Sequence, residues 1–562
     1  MSITQNEYIV AEPVVKPANG NGHHQAEKEV ATPVASNWTA RPKLWFRVAF
    51  IFFISISIPN SAEWYKIVFN IDWTNLHYRD LYDIARFGSG INIFGNKLFG
   101  STLLGYANWV ITAIVAIAGG LVWTWIVKRK KTERKEYNLL YYWLRVVVRY
   151  RAGIGIIGFG FTKLLPVQMP YPSFGVLNTN VGDLTAQKLY WLSIGVVPWY
   201  QIFAGIVEVT AGTLLLFRRT TTIGSILLFG ALADIVYVNF AYDGGVHVYS
   251  SYFVLLSAFL LVNDVPKLYN LLVLEKYTVP VNFNPTFTKK WQQYSRVGLK
   301  ALTLFVFLVV FFYLQLINFW YDPYKQPSVA GVQVLRGNYA VTEFRVNNKV
   351  IPYDPTDTTR WQEATFEKWA TLTFRINKPT ALDLSNGGGD PQRDINRTFE
   401  IAGVGGGQHV FHYYADTVNK VLYLQDKFKE VPDRRNRASG VGGDGGTDKN
   451  LNSDRNKKVN EAKAAKTKDT VDNFIPKEAW KNIGNEVTKI DQRAASTRRD
   501  REFAEAPKNE KRNRMVLHYE TTDGSHVVLR GINENKDSIY VVLDRVNRHY
   551  ALSESSLQAG KY

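Results

Sequence analysis

Residues 149–166 read Arg149-Tyr150-Arg151-Ala152-Gly153-Ile154-Gly155-Ile156-Ile157-Gly158-Phe159-Gly160-Phe161-Thr162-Lys163-Leu164-Leu165-Pro166. An apolar run with charge at both ends and glycine through its middle has the composition of a membrane helix. On a helix, Arg151, Gly155, Gly158 and Thr162 share one face, at i, i+4, i+7 and i+11. Small residues at that spacing let a second helix approach closely. In lipid, close contact has to supply the association that apolar burial supplies in water. Lys163 stands one position off this face. The run from Gln201 to Gly212 repeats the spacing through Gln201, Gly205, Glu208 and Gly212, so the two stripes are expected to pack face to face.

Outward from this stretch the 562-residue chain divides in two. Long apolar runs dominate up to about residue 320, and polar residues take over beyond it. Seven segments are long and apolar enough to read as spans: about 44–59, 102–127, 146–165, 191–217, 222–241, 246–262 and 297–320. Residues 138–148 are expected to lie along the inner interface before the third. Arg149 and Arg151 read as anchors at that interface. The basic loop Lys128-Arg129-Lys130-Lys131-Thr132-Glu133-Arg134-Lys135 sets the orientation, because short basic loops stay on the cytoplasmic side. The leader, Arg218-Arg219 and residues 263–296 then also lie inside, and everything after 320 lies outside. The aromatic and charged loop over 60–100 is expected to fold over the outer surface.

The fold class expected is therefore a polytopic α-helical membrane protein with a C-terminal antiparallel β domain, either a sandwich or a small barrel. Its parts are a leader (1–36), two spans and an outer loop (37–136), a four-helix bundle (137–265), a cytoplasmic segment with the seventh span (266–320), the first part of the outer β domain (321–432), a basic insertion expected to be disordered (433–514), and the last strands (515–562). Alternation marks strands at 372–376, 410–414, 421–424, 516–520 and 527–530. Asp523-Gly524 forms a hairpin turn between the last two. Residues 538–543 and 548–552 extend the pattern. A short helix is expected around 477–489.

The net charge of +18 comes from membrane-flanking residues and the insertion, and no nucleic-acid partner is expected from it. The absence of cysteine excludes disulfides, thiol redox chemistry and cysteine metal sites. No phosphate loop, nucleotide fingerprint, hydrolase elbow or zinc-protease helix is present, and no cleavable signal peptide is read at residues 1–36. His23-His24 belongs to a solvated tail. The run 442–448 approaches a calcium-binding Gly/Asp repeat but occurs once. His409 and His412 fall on opposite faces of a strand, so no metal site is expected from them.

Chemistry concentrates inside the spans. Glu208 lies near the middle of the fourth and Asp234 slightly outside the middle of the fifth. A charge at such depth costs roughly 2.5–3.5 kcal/mol on insertion scales, so each needs a partner or a function. Lys163, Glu208 and Asp234 are the candidate catalytic residues. Gly158, Lys163, Gln201, Glu208, Asp234, Asn239 and His247 are the candidate ligand-binding residues, with Asp234, Tyr237, Asn239, Tyr242, Asp243 and His247 forming a polar track to the outer surface. The same residues also read as a set of buried hydrogen bonds that fix helix register.

The segment Gly158-Phe159-Gly160-Phe161-Thr162-Lys163-Leu164 with Pro166, together with Gly205-Ile206-Val207-Glu208-Val209-Thr210-Ala211-Gly212-Thr213-Leu214-Leu215-Leu216 before Arg218-Arg219, resembles the DoxX-like family of bacterial membrane proteins. The resemblance covers about 140–265, roughly a quarter of the chain. It implies a four-helix bundle in the bacterial inner membrane, with Lys163 and Glu208 at recurring positions. Some members are similar to a subunit of a thiosulfate:quinone oxidoreductase, which implies quinone as a cofactor; others are linked to envelope redox homeostasis. The glycine-Lys-Leu ending is also similar to the lysine segment of vitamin K-dependent carboxylases, which use a quinol. The leading functional reading is an accessory or structural component that binds a lipid or quinone in its bundle and an envelope protein through its outer, periplasmic domain. The alternatives are a subunit of a quinone-linked oxidoreductase and a proton-coupled transporter.

Overall fold

In the computed structural model the helical half comprises α1 (Ala40–Ser57), α2 (Ala62–Phe69), α3 (Tyr78–Ala85), α4 (Ala107–Arg129), α5 (Asn138–Leu164), α6 (Phe174–Leu177), α7 (Ala186–Gly195), α8 (Pro198–Leu215), α9 (Thr221–Ala241), α10 (His247–Leu261), α11 (Val265–Leu272), α12 (Lys290–Leu304) and α13 (Phe311–Tyr321), the last two joined by a π-helical stretch, Phe305–Val310. The structure describes residues 38–87, 90–91, 106–278, 283, 285–323, 325–384, 387, 394–428, 474–484, 491, 493, 512–552, 554, 557 and 559. The leader with His23-His24, the run 442–448 and most of the insertion lie outside the described residues.

Helices α5, α8, α9 and α10 pack in that cyclic order as a four-helix bundle, α1 leans on α5 from one side, and α4 packs on α1. Among the described residues three helices are long and apolar enough to cross a membrane: Ala107–Arg129, Arg218–Ala241 and Lys290–Tyr321. Two bent pairs raise the number to five if each is a single span: α7 with α8, bent by 91°, and α10 with α11, bent by 72°. Among the described residues the expected seven are not reached by length and composition. Arg41, Lys43 and Arg47 charge α1, and Arg145, Arg149, Arg151 and Lys163 charge α5. The expected continuous span over 191–217 is broken before Pro198, which opens α8 because its missing N–H costs nothing at a helix start. Residues 138–148 are no separate interfacial segment but the first turns of a continuous α5.

The described part of the loop over 60–100 packs into the helical half. Its α3 inserts against α5 and α13 and buries Tyr78, Leu81 and Tyr82. Arg151 explains why. It is 6% exposed in the middle of α5 and donates to the carbonyls of Ala85 and Phe87 at 2.6 and 3.1 Å. A buried guanidinium needs acceptors, and the C-terminus of α3 supplies carbonyls at the negative end of its dipole. Arg151 is thus a bond inside the protein and not an interface anchor.

Beyond α13 come β1 (Gly337–Val346), β2 (Lys349–Val350), β3 (Glu363–Phe366), β4 (Thr371–Arg375), β5 (Gln408–Asp416), β6 (Val421–Asp426), α14 (Lys477–Ile483), β7 (Arg514–Glu520), β8 (His526–Ile532) and β9 (Ser538–Val546). Eight strands pair antiparallel in sequence order, and β9 returns to β1 while β2 only folds back on the end of β1. The β domain is a closed barrel. Its interior is filled by alternate residues, among them Leu372, Phe374, Phe411, Tyr413, Leu422, Leu424, Leu517, Leu529 and Val541. A register shift in β1 between Val341 and Glu343 lets that strand bend toward β9, so neither edge is left open. The expected turn at Asp523-Gly524 joins β7 to β8, with Gly524 at φ +80°. Residues 548–552 form no strand. Within the insertion, the segment 474–484 that contains α14 packs Ile475, Ala479 and Ile483 on the outside of β5 and β6.

Close approach of α5 and α8 depends on four glycines. A Cβ at Gly205 would lie 2.2 Å from the Leu164 backbone nitrogen, one at Gly160 would lie 2.9 Å from the Val209 nitrogen, and Gly153 and Gly212 face each other's carbonyls. Gly230 on α9 faces open space. Gly205→Ala is expected to lower stability by about 1–3 kcal/mol through overpacking, whereas Gly230→Ala changes it little. Unfolding of the purified variants in a denaturing-detergent titration compares the two, and equal midpoints would refute the seam.

Candidate functional site

The α5–α8 seam carries a buried ion pair. Lys163 Nζ donates to both carboxylate oxygens of Glu208, at 2.7 and 2.8 Å. Lys163 is 8% exposed and Glu208 2%. The face of α5 that meets α8 is not the expected Arg151–Gly155–Gly158–Thr162 stripe. It is the face of Gly153, Gly160 and Leu164, and Lys163 lies on it. Gly155 instead receives Phe253 of α10, and Gly158 receives Phe311 and Tyr82. The reason is register. Gly153 and Gly160 are seven apart, as are Gly205 and Gly212, so these two rows interleave with backbone in contact. The α8 stripe, by contrast, lies where its spacing puts it.

The other expected site residues scatter. Gln201 is buried one face-repeat above Glu208 and closes on the backbone of Met169, accepting from its N–H at 2.9 Å and donating to its carbonyl at 3.2 Å. Asp234 and Tyr237 are exposed on the outside of α9. Asn239 is buried, donates to the Ile235 carbonyl at 2.7 Å and, through its own carbonyl, accepts from Gly244 N–H at 2.9 Å. It holds the turn before α10. His247 is buried, stacks on Phe240 at 4.2 Å between ring centres and meets the Tyr106 hydroxyl at 3.2 Å. No continuous track joins Asp234 to the Lys163–Glu208 pair among these contacts. Helix periodicity places side chains around an axis, but which faces turn inward is decided by neighbours far away in sequence.

Above the pair, where the helices end and the barrel begins, lies an open cleft. Pro166, Met169, Tyr171 and Gln201 line it from the helical side, and Glu367 and Trp369 from the turn between β3 and β4. Gln201 stands about 10 Å outward of Glu208 along the same face of α8, two turns at 1.5 Å per residue. Glu367 is 1% exposed, and its carboxylate accepts from Phe174 N–H at 2.9 Å and Gly175 N–H at 2.8 Å. Burial pushes its pKa up to about 7, aided by the negative field of Glu400 and opposed by the two amide bonds. Glu367 thereby docks the barrel on the loop after α5. Thr185 N–H to the Gly403 carbonyl (3.0 Å) and Gly405 N–H to the Asp183 carbonyl (2.8 Å) dock it further along.

A second buried pair sits on the outer wall of the barrel. Lys427 Nζ donates to Glu400 at 2.8 Å, and Trp369 Nε1 donates to the same oxygen at 2.7 Å. Nothing in the sequence marks Glu367, Glu400 or Lys427. Each is a single charge next to a strand, and single charges there are ordinarily solvated. His409 and His412 do lie on opposite faces of β5, His409 with the inward Phe411 and His412 outward. Comparison of the chain with protein-family models, with curated proteins and with solved structures finds no match in any of the three.

Two outcomes are expected. Glu208→Leu or Lys163→Met alone leaves an uncompensated buried charge and costs about 3–5 kcal/mol, while the double variant costs much less; a detergent unfolding cycle measures the coupling, and additive losses would contradict a closed pair. For Glu367, the folded state holds the proton more tightly than the unfolded chain, where the ordinary value is 4.5. Its contribution to stability is therefore full below about pH 4.5 and is lost as pH rises through about 7, roughly 3 kcal/mol in all. Melting temperature against pH should fall over that window in the parent and stay flatter in Glu367→Gln; identical slopes would rule the group out.

Proposed function

We propose that this chain is an integral inner-membrane protein of DoxX-like type with a periplasmic barrel. Its role is accessory, and it holds a membrane amphiphile, a quinone or a lipid, in the cleft between bundle and barrel. The observation that carries the reading is the position of that cleft. It opens where the apolar helices end, and its wall mixes proline, methionine and aromatic carbon with polar groups, among which Gln201 and Glu367 are buried and fixed by hydrogen bonds to backbone. Such sites are mostly apolar with a few placed polar groups. A quinone ring or a lipid ester satisfies both kinds of wall, with the tail left among the helices. The barrel presents the only large surface beyond the membrane boundary among the described residues, which makes it the face for an envelope partner.

A second reading, a proton-handling subunit of a quinone-linked oxidoreductase, draws on one observation. Lys163 and Glu208 lie beneath Gln201 on the wall of the cleft, so a proton released there has a carboxylate–ammonium pair two turns below. The transporter reading has less support, because Asp234 is exposed and apart from the pair.

The test is purification in mild detergent followed by mass spectrometry of co-purified small molecules. Quinone or a particular lipid should be enriched over bulk membrane, and Met169→Trp, which narrows the cleft, should lower the enrichment several-fold. Release of the protein from membranes by alkaline carbonate would remove the membrane reading, and bulk-like lipid composition would remove the ligand.

A further inference from the structure

The turn between α8 and α9, at the end of the bundle away from the barrel, gathers positive charge without a carboxylate. Arg149 of α5 is 8% exposed and donates from Nη1 to the Thr221 hydroxyl at 3.2 Å, while its Nε has no partner. Lys300 of α12 places Nζ 3.9 Å from the centre of the Phe217 ring. Between Phe217 and Thr221 stand Arg218 and Arg219, both exposed. Four cations thus converge on one five-residue turn. Arg296, one turn before Lys300 on the same face of α12, is exposed as well.

Among the described residues no carboxylate lies within ion-pair distance of Arg149, Arg218, Arg219, Arg296 or Lys300. The acid on the adjoining surface, Asp264, is already engaged by the Thr222 hydroxyl at 2.9 Å, Lys267 at 3.1 Å and Arg145 at 3.5 Å. Beyond Thr221, Arg149 meets the Tyr150 ring at 5.8 Å. A 3-10 turn, Arg218–Thr220, runs straight into the 21-residue α9, so the helix opens at Phe217 with no side-chain cap, and a helix start favours an anion. A buried guanidinium with one hydroxyl acceptor is costly unless a negative charge joins it.

We propose that this turn holds the phosphate of an anionic phospholipid from the leaflet facing away from the barrel. Arg149 supplies the buried donor, Arg218 and Lys300 the outer charge, and the uncapped helix start at Phe217–Arg218 the floor. Exposed Leu299 and Leu302 flank Lys300 on α12, beside Phe217, and give the acyl chains an apolar path that a soluble phosphate would not use. The lipid assignment rests on the membrane reading above, whereas the demand for an anion rests on the turn alone.

The full-length protein is reconstituted in nanodiscs of phosphatidylcholine with a minority of phosphatidylglycerol, re-extracted, and its retained lipid measured by mass spectrometry. Phosphatidylglycerol should be enriched. The double variant Arg218→Gln/Lys300→Gln, at solvent-accessible positions, should reduce the enrichment about fivefold for each charge removed, and Arg149→Gln should abolish it. Equal retention of the two lipids by the parent protein, or unchanged enrichment in the double variant, overturns the site. If inorganic phosphate raises the melting temperature of lipid-stripped protein as much as phosphatidylglycerol does, the lipid assignment is overturned. Failure of the membrane reading shows separately, as release by carbonate.

Discussion

Charge placed inside an apolar helical bundle must be matched there, and this requirement organises the helical half. Lys163 is matched by Glu208 across the α5–α8 seam. Arg151 is matched by the carbonyls that end α3. Arg47 of α1 donates to the Tyr137 hydroxyl just before α5 and to Thr124 on α4. Each match ties α5 or its approach to a different neighbour. Apolar packing alone leaves helices room to slide or rotate, because it is non-directional. The buried bonds remove that freedom.

The ion pair in turn depends on the glycine seam. Lysine and glutamate can close at 2.7 Å only because Gly160 and Gly205 let the backbones approach. A wider separation would leave two desolvated charges apart, which is the costly state. Close packing and electrostatics are therefore one constraint at this place. It also sets the floor beneath the cleft in which a membrane amphiphile is proposed to bind.

The barrel obeys a different rule. Its strands are ordered by sequence and closed by β1 returning to β9, and its interior is filled with side chains. The filled interior leaves the outer wall and the junction with the helices as the surfaces this half presents among the described residues. There, Glu367, Glu400 and Lys427 are buried by loops and helices from distant parts of the chain. Their environment comes from the docking of the barrel, with its filled apolar core, against the helical half.

The apolar runs, the glycine spacing of α8, the strand alternation and the Asp523-Gly524 turn were legible in the sequence, because each is a local pattern with a fixed period or a fixed backbone requirement. The bend before Pro198 was legible in principle from the proline alone. Which face of α5 meets α8 was not, since its glycines supply two candidate faces and only the matching register of Gly153 and Gly160 selects one. Nor was the insertion of α3, which answers a need of Arg151 some 66 residues away, or the exposure of Asp234. Barrel closure, the burial of Glu367 and the gathering of Arg149, Arg218 and Lys300 at one turn likewise belong to the tertiary structure. Period and propensity determine what a segment becomes, but a side chain's partners lie across the fold, where only packing brings them within reach.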